Sequence, residues 1–217
     1  KTTVAINASS ISTITGAAAD VKTVYESTGI TTATTSTTWQ QIGSNIDAPS
    51  GDRAGYSLAL SNDGTVIAIG SPYNDDNGQD SGQVRIFKNN NGTFTQIGSD
   101  IHGETAGDRF AYSKNIALSN DGSIVVIGAP YNDGNGNESG HARVFENKNG
   151  TWTQIGNDID SEASGDHFGS STAISSDGSI IAIGAQLNDG GGYRSGHVRV
   201  YENNSGSWTQ IGNDIDG

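Results

Sequence analysis

GDHFGSSTAISSDGSIIAIGAQLNDGGGYRSGHVRVYENNSGSWTQIG, residues 165–212, carries four strand signals in succession. GDHFGSSTAIS (Gly165–Ser175) places β-forming residues after a Gly-Asp pair. SIIAIGA (Ser179–Ala185) is a continuous apolar run, and GHVRVYE (Gly196–Glu202) alternates and is β-branched. WTQIG (Trp208–Gly212) opens on an aromatic residue. Between the first and second signals lies Ser-Asp-Gly, and between the third and fourth lies NNSGS. Both are hairpin signals, because such residues tolerate the positive φ of a tight turn. A strand apolar on both faces predicts a sheet sandwiched between neighbours.

The same order occurs twice upstream, in Phe94–Thr151 and Trp39–Thr93, and a fourth copy starts at Trp208. From the turn serine (Ser61, Ser119, Ser175) to the next opening aromatic (Phe94, Trp152, Trp208) the distance is 33 residues each time. The first part of each unit varies, at 22, 25 and 23 residues. Fixed spacing marks a shared scaffold, and variable spacing predicts a loop at a rim. Four antiparallel strands repeated every 55 to 58 residues predict an all-β chain of propeller blades. Three full blades are expected at about 52–101, 108–159 and 166–216, with one spare outer strand at Trp39–Gly43. Propellers typically have about four to eight blades, so three cannot close a ring. An open, larger or oligomeric ring is expected, its end faces covered by further blades or by self-association.

Composition narrows the function. Hydrophobic residues are 32% and glycines number 31, which excludes a helical bundle and suits short strands joined by Gly, Asn and Asp turns. Eleven basic against 24 acidic residues give a net charge of −13. Such a surface repels phosphate backbones and anionic lipids, so neither nucleic acid nor membrane insertion is expected, and divalent cations become plausible. With no cysteine there is no disulfide and no thiolate chemistry. Methionine is absent even at position 1, so a processed or excised piece is expected.

The order Phe168-Gly169-Ser170, Ile183-Gly184-Ala185, then Ser195-Gly196 running to Tyr201 resembles the FG-GAP repeat of integrin α-type propellers and bacterial surface proteins. The second copy reads Phe110-Ala111-Tyr112-Ser113 and Gly128-Ala129-Pro130. The first has lost the phenylalanine (Ala54-Gly55-Tyr56-Ser57) and reads Gly70-Ser71-Pro72. The resemblance covers about residues 39–217 and implies a propeller, and some blades of that family hold calcium in an Asp-rich loop between the first two strands. Here that loop is a short turn with one carboxylate each (Asp63, Asp121, Asp177), too few for an ion that takes six to eight oxygens. The calcium site is therefore not carried over to these turns, and calcium stays a possible cofactor only for the rim described next. Residues 1–38 contain 17 Ser or Thr, and they resemble Ala/Thr-rich modules of giant secreted cyanobacterial proteins. Within them Val4–Ala8 predicts a strand, Ile11 to Tyr25 helical spacing, and Thr31–Thr38 a linker.

Blade topology gathers the inter-blade loops and the loops between second and third strands on one rim. They carry Asp47, Glu104, Asp160 and Glu162, and Asp75, Asp76, Asp80, Asp133, Glu138 and Asp189. That rim is expected to bind cations, protein or polysaccharide; the competing reading is solvated loops held by Asx turns. The Asp of each Gly-Asp pair (Asp52, Asp108, Asp166) and the strand-three arginines (Arg85, Arg143, Arg199) recur, and a structural bridge between them is expected. His141 and His197, replaced by Gln83 in the first copy, make a poor metal site as two isolated residues on separate blades. Trp39, Phe94, Trp152 and Trp208 are expected to pack the outer strand rather than stack on sugars. No nucleophile elbow, phosphate loop or Cys–His pair occurs, so no enzyme is expected. The expected function is an extracellular or cell-surface binding and adhesion module, with a lectin or a structural spacer as alternatives.

Overall fold

The computed structural model describes residues 39–217; the strand and helical spacing expected within 1–38 lie outside the described residues. Gln41–Gly217 form one compact unit, built of strands. Blade one holds β1 (Ser57–Leu60), β2 (Val66–Ser71), β3 (Gln83–Asn90), β4 (Thr93–Gln96) and β5 (Ile101–His102). Blade two holds β6 (Ile116–Leu118), β7 (Ile124–Ala129), β8 (His141–Lys148), β9 (Thr151–Gln154) and β10 (Ile159–Asp160). Blade three holds β11 (Phe168–Ile174), β12 (Ile180–Ala185), β13 (His197–Asn204), β14 (Ser207–Gln210) and β15 (Ile215–Asp216).

Within each blade the first four strands pair antiparallel in chain order, as expected. The hairpins between third and fourth strands turn on Asn91-Gly92, Asn149-Gly150 and Ser205-Gly206. All six residues have positive φ, the type I′ geometry that matches strand twist. The turns between first and second strands are closed by Asp63, Asp121 and Asp177. Asp177 Oδ1 accepts from Ser175 Oγ at 2.7 Å, Ser179 Oγ at 2.8 Å and the Ser179 amide at 3.0 Å. These bonds hold its carboxyl down at about 2. The carboxylate thus closes its own turn.

On the side away from the second strand, each third strand is paired twice. β4 runs beside the outer half of β3, and after a kink β5 pairs its beginning, with Val84 opposite Ile101. The same second pairing joins β10 to β8 and β15 to β13. Asp160, expected in a free rim loop, therefore lies in a short strand opposite His141.

The core lies between blades rather than within them. Val125, Ile127 and Ala129 of β7 join Val66, Ala68, Val84 and Ile86 of blade one. Val126, the alternate face of β7, joins Phe168, Ile181 and Ile183 of blade three. In β7 the two-faced apolar run thus has a neighbour on each side, whereas in β12 only the face of Ile181, Ile183 and Ala185 is buried and Ile180 is exposed. β1 adjoins β6 and β6 adjoins β11, so the first strands lie together on the inner side. The short turns form rungs, the Asn62 amide donating to the Asn120 carbonyl and the Asn120 amide to that of Ser176, both at 2.9 Å. On the outer side Trp152 Nε1 donates to the Ile97 carbonyl at 2.8 Å and Trp208 Nε1 to that of Ile155 at 3.0 Å. These tryptophans are partly buried, as expected, but they reach the preceding blade, while Trp39 is fully exposed.

Among the described residues Trp39–Gly43 forms no strand, where the spare outer strand was expected. The variable spacing also has a different cause in blade two. Phe94 to Asp108 and Trp152 to Asp166 are equal, 14 residues each, and the two extra residues fall between Phe110 and Ser119. They widen the entry to β6, where Ala111 and Ser113 take positive φ and Asn115 Nδ2 donates to the Gly128 carbonyl at 2.9 Å.

Blades meet backbone to backbone at several glycines. A Cβ on Gly128 of β7 would stand 2.0 Å from the Gly169 carbonyl oxygen, and one on Gly169 would stand 2.2 Å from the His141 carbonyl oxygen. At the other junction a Cβ on Gly70 would stand 2.8 Å from the Ala111 Cβ and 3.0 Å from the Ala111 carbonyl oxygen, to which Ser57 Oγ donates at 2.8 Å. Gly128→Val should therefore lower stability by about 1–3 kcal/mol through overpacking, read as a fall in urea midpoint at constant slope; an unchanged midpoint would refute this packing.

Candidate functional site

Three groups of side chains sit at the rim where second strands end and first strands begin. The first closes the loops. Asp75, Asp133 and Asp189 each accept at Oδ1 from the amide five residues on, at 2.8, 2.7 and 2.6 Å. Asn74, Asn132 and Asn188 are buried and turn the chain back on the amide two residues on. Asp52 Oδ2 takes Asn74 Nδ2 at 3.0 Å and Asp166 Oδ2 takes Asn188 Nδ2 at 3.1 Å. Asp108 instead accepts from the Thr105 amide and hydroxyl at 2.9 and 2.8 Å. Each buried Gly-Asp carboxylate thus organises loops of the rim. Asp75, Asp76, Asp133, Glu138, Asp160, Glu162 and Asp189 remain exposed, and Asp80 is half-buried.

The second group corrects the expected bridge. The arginines do not pair with Asp52, Asp108 or Asp166. Arg143 lies 3.7 Å from Glu104 and 3.6 Å from Asp158, and it donates to Gln154 Oε1 and to the His102 carbonyl of blade one. Arg199 pairs with Glu162 and, at 3.1 Å, with Asp214. Arg85 donates to the Asp47 carbonyl at 2.9 Å. The guanidinium groups of Arg143 and Arg199 also lie over the Phe110 and Phe168 rings. The Gly-Asp carboxylates accept instead from amides, hydroxyls and Asn side chains of the rim loops, and Arg143 and Arg199 go to the carboxylates of the inter-blade segments.

The same carboxylates approach the histidines. Glu104, His141 and Asp158, and likewise Glu162, His197 and Asp214, have donor atoms within 4.8 Å of one another, as do Asp76, Asp100 and His102. Each histidine thus has its own carboxylates, which spacing along the chain did not reveal. In the first two groups an arginine stands between the carboxylates in the place a cation would take. Burial raises the Glu104 carboxyl, Arg143 pulls it down, and Asp158 and Asp108 push it up again. Burial lowers His141 below its ordinary value. Asp214, though burial pushes it up, is held below the usual range by bonds from Gln210 and Arg199.

The third group is aromatic. Tyr56 and Tyr112 stack with centroids 5.0 Å apart, and Tyr73 stands edge-on to both. Tyr131 meets Tyr112 at 5.4 Å and His167 at 4.9 Å. Arg53 lies 4.2 Å above Tyr73, and Arg109 lies 4.8 Å above Tyr131. His167 pairs with Glu138 at 3.2 Å. This row crosses all three blades. Its signal in the sequence was the repeated Tyr after Gly-x-Pro (Tyr73, Tyr131) and near the start of strand one (Tyr56, Tyr112). The rim offers exposed carboxylate oxygens, phenol hydroxyls and a few cations, a set suited to hydrogen bonding and ion contact.

Arg143→Leu should destabilise by about 1–3 kcal/mol, because it leaves Glu104 and Asp158 facing each other in a half-buried site; an unchanged melting temperature would contradict the pairing. A histidine whose pKa is lowered by folding contributes stability above its unfolded value, ordinarily 6.5, and loses it as pH falls. His141→Gln, the residue blade one carries as Gln83, should flatten the fall in melting temperature between about pH 7.5 and 5.5. An equal fall in both proteins would exclude His141 as its source.

The family profile described as FG-GAP repeat matches residues 44–87, 103–145 and 159–201. No curated protein sequence matches the chain. Among solved structures, hydrazine synthase of Kuenenia stuttgartiensis is similar with TM-score 0.45 and 11% identity, over 82% of this chain and 41% of that one. The β-propeller domain of the Trilobed protease from Pyrococcus furiosus, with its open velcro topology, gives 0.43 and 12%, over 74% and 41%. The periplasmic gluconolactonase PpgL of Pseudomonas aeruginosa gives 0.37 and 12%, over 75% and 57%. The chain thus spans less than two thirds of each of these structures.

Proposed function

The chain belongs to the FG-GAP repeat family, and on that premise we propose that it is an extracellular or cell-surface binding module, which contacts polysaccharide or protein through the rim of acidic loops and tyrosines. Propeller blades of this family make a binding or structural scaffold. No helix of the described residues is long and apolar enough to cross a membrane.

The observation that carries the reading is the tyrosine row beside exposed carboxylates. Tyr56, Tyr73, Tyr112 and Tyr131 come from two blades and meet at one place, although nothing in blade stacking requires aromatic residues there. Aromatic faces with hydroxyls suit partners that are apolar on one side and polar on the other, and sugars are of that kind. Neighbouring carboxylates accept from sugar hydroxyls or hold a cation between protein and ligand. This favours polysaccharide within the general reading, and calcium as a cofactor of contact. The proposal involves binding without turnover: the carboxylates of Asp75, Asp133 and Asp189 are fixed by their own loops rather than aimed at a shared reacting position.

A glycan and protein array, with and without calcium, tests this. Discrete glycan signals, lowered about tenfold or more in Tyr112→Ala, are expected. Protein signals alone would move the ligand to protein, and silence on both in either buffer would refute a binding role.

A further inference from the structure

Blade one departs from its two copies at three positions that meet in space. In every blade the residue that opens the third strand stands opposite one on the short fifth strand. His141 is opposite Asp160 and His197 opposite Asp216, but Gln83 is opposite His102. The histidine has changed strands. Opposite residues of an antiparallel pair put their side chains on the same side of the sheet, so Gln83 and His102 are neighbours. The third departure is in the loop after the second strand, where Asp76 stands in the place of Gly134 and Gly190. A Cβ on those glycines would stand 3.8 Å from Asp160 Oδ1 and 3.6 Å from Asp216 Oδ1, so this position looks onto the fifth-strand residue. In blade one it adds a carboxylate beside an imidazole.

Asp100 completes the group: Asp76, Asp100 and His102 each bring a donor atom within 4.8 Å of the other two. Asp100 repeats as Asp158 and Asp214, which stand 3.6 and 3.1 Å from Arg143 and Arg199. Arg85, their counterpart in blade one, donates instead to the Asp47 carbonyl. Among the described residues no cation pairs with Asp76 or Asp100. Each accepts through one oxygen only, Asp100 from Gln96 Nε2 at 2.5 Å and Asp76 from Asn74 Nδ2 at 3.2 Å. Two buried polar atoms at this place have no hydrogen-bond partner among the described residues. One is Oε1 of Gln83, a residue only 3% exposed, and the other is His102 Nδ1. A buried acceptor without a donor is costly, and such atoms point to an ion or a water between them.

Two carboxylates, one imidazole and one amide oxygen are donors that zinc-class divalent ions accept. Calcium and magnesium take oxygen ligands, so the imidazole selects against them. A tetrahedral shell with bonds of about 2.0–2.2 Å sets donors roughly 3.4 Å apart, which side-chain rotation reaches from a spread of 4.8 Å. The corresponding groups of blades two and three keep an arginine at their carboxylates, and that charge repels a second cation.

We propose that Asp76, Asp100 and His102 form a binding site for one zinc-class divalent ion in blade one, with Gln83 Oε1 as the fourth donor. The site stands apart from any glycan or protein ligand of the rim, and its test reads the metal alone. Isothermal titration of the whole chain with zinc, at about pH 7.5 where an ordinary imidazole is neutral, should show one ion bound per chain. His102→Asp and Asp76→Gly each give blade one the residue that its copies carry, so both variants keep the fold. Each should weaken zinc binding by about tenfold or more. His141→Gln should leave the affinity unchanged, and so should calcium in about hundredfold excess. A wild-type chain that takes up no zinc at about 1 mM would overturn the site. So would affinity unchanged in both blade-one variants, or affinity lost in His141→Gln, which would move the ion to blade two. Displacement of zinc by calcium would overturn the choice of ion.

Discussion

The three blades hold together because the backbone of one reaches the backbone of the next with no side chain between. Gly128 and Gly169 form that contact on one junction, and Gly82 with the Phe110 backbone forms it on the other. Around it, buried Phe110 and Phe168 and the two faces of the second strands fill the interfaces. A residue such as Ile127 or Ile183 therefore gains its burial from a neighbouring blade, and a blade alone would leave that surface in water. The family's two signature segments are two sides of one contact: the glycine of the second strand and the residue after phenylalanine in the following blade.

Charge is arranged around the same junctions. The chain carries a net charge of −13, yet two of its few arginines are spent inside interfaces. Arg143 and Arg199 gather carboxylates from the segment that joins the blades, and they lie over the phenylalanine rings that lock those blades. An arginine there neutralises acidic groups that would otherwise repel at close range, and its fork satisfies several acceptors at once. The remaining carboxylates point outward on loops closed by their own hydrogen bonds, which leaves a preorganised acidic rim beside the tyrosine row.

The two rims also differ in how closely the blades repeat one another. The short turns on the far rim are close copies, with Asp63, Asp121 and Asp177 in one role and rungs between them. The near rim departs from repetition: Tyr73 and Tyr131 give way to Leu187, and Arg53 and Arg109 to His167. Loss of repetition on one rim, while the other is kept, is the pattern expected when a scaffold carries a contact surface on one side.

Strands, hairpins and blade count were determined by the sequence alone, because they rest on local rules: alternation along a strand, positive φ at Asn-Gly and Asp-Gly, and repetition of the whole unit. The burial of both faces of Ile124–Ala129 and the part burial of Trp152 and Trp208 were readable on the same grounds. Only the tertiary structure decided what lies across a junction. Arg143 reaches His102, 41 residues away, and Trp152 reaches Ile97, 55 residues away. The partners of the arginines, the second pairing that draws Asp160 into a strand, and the meeting of four tyrosines all depend on which segments the stacked blades bring side by side. No spacing along the chain encodes that neighbour relation, since it arises from stacking after each blade has formed.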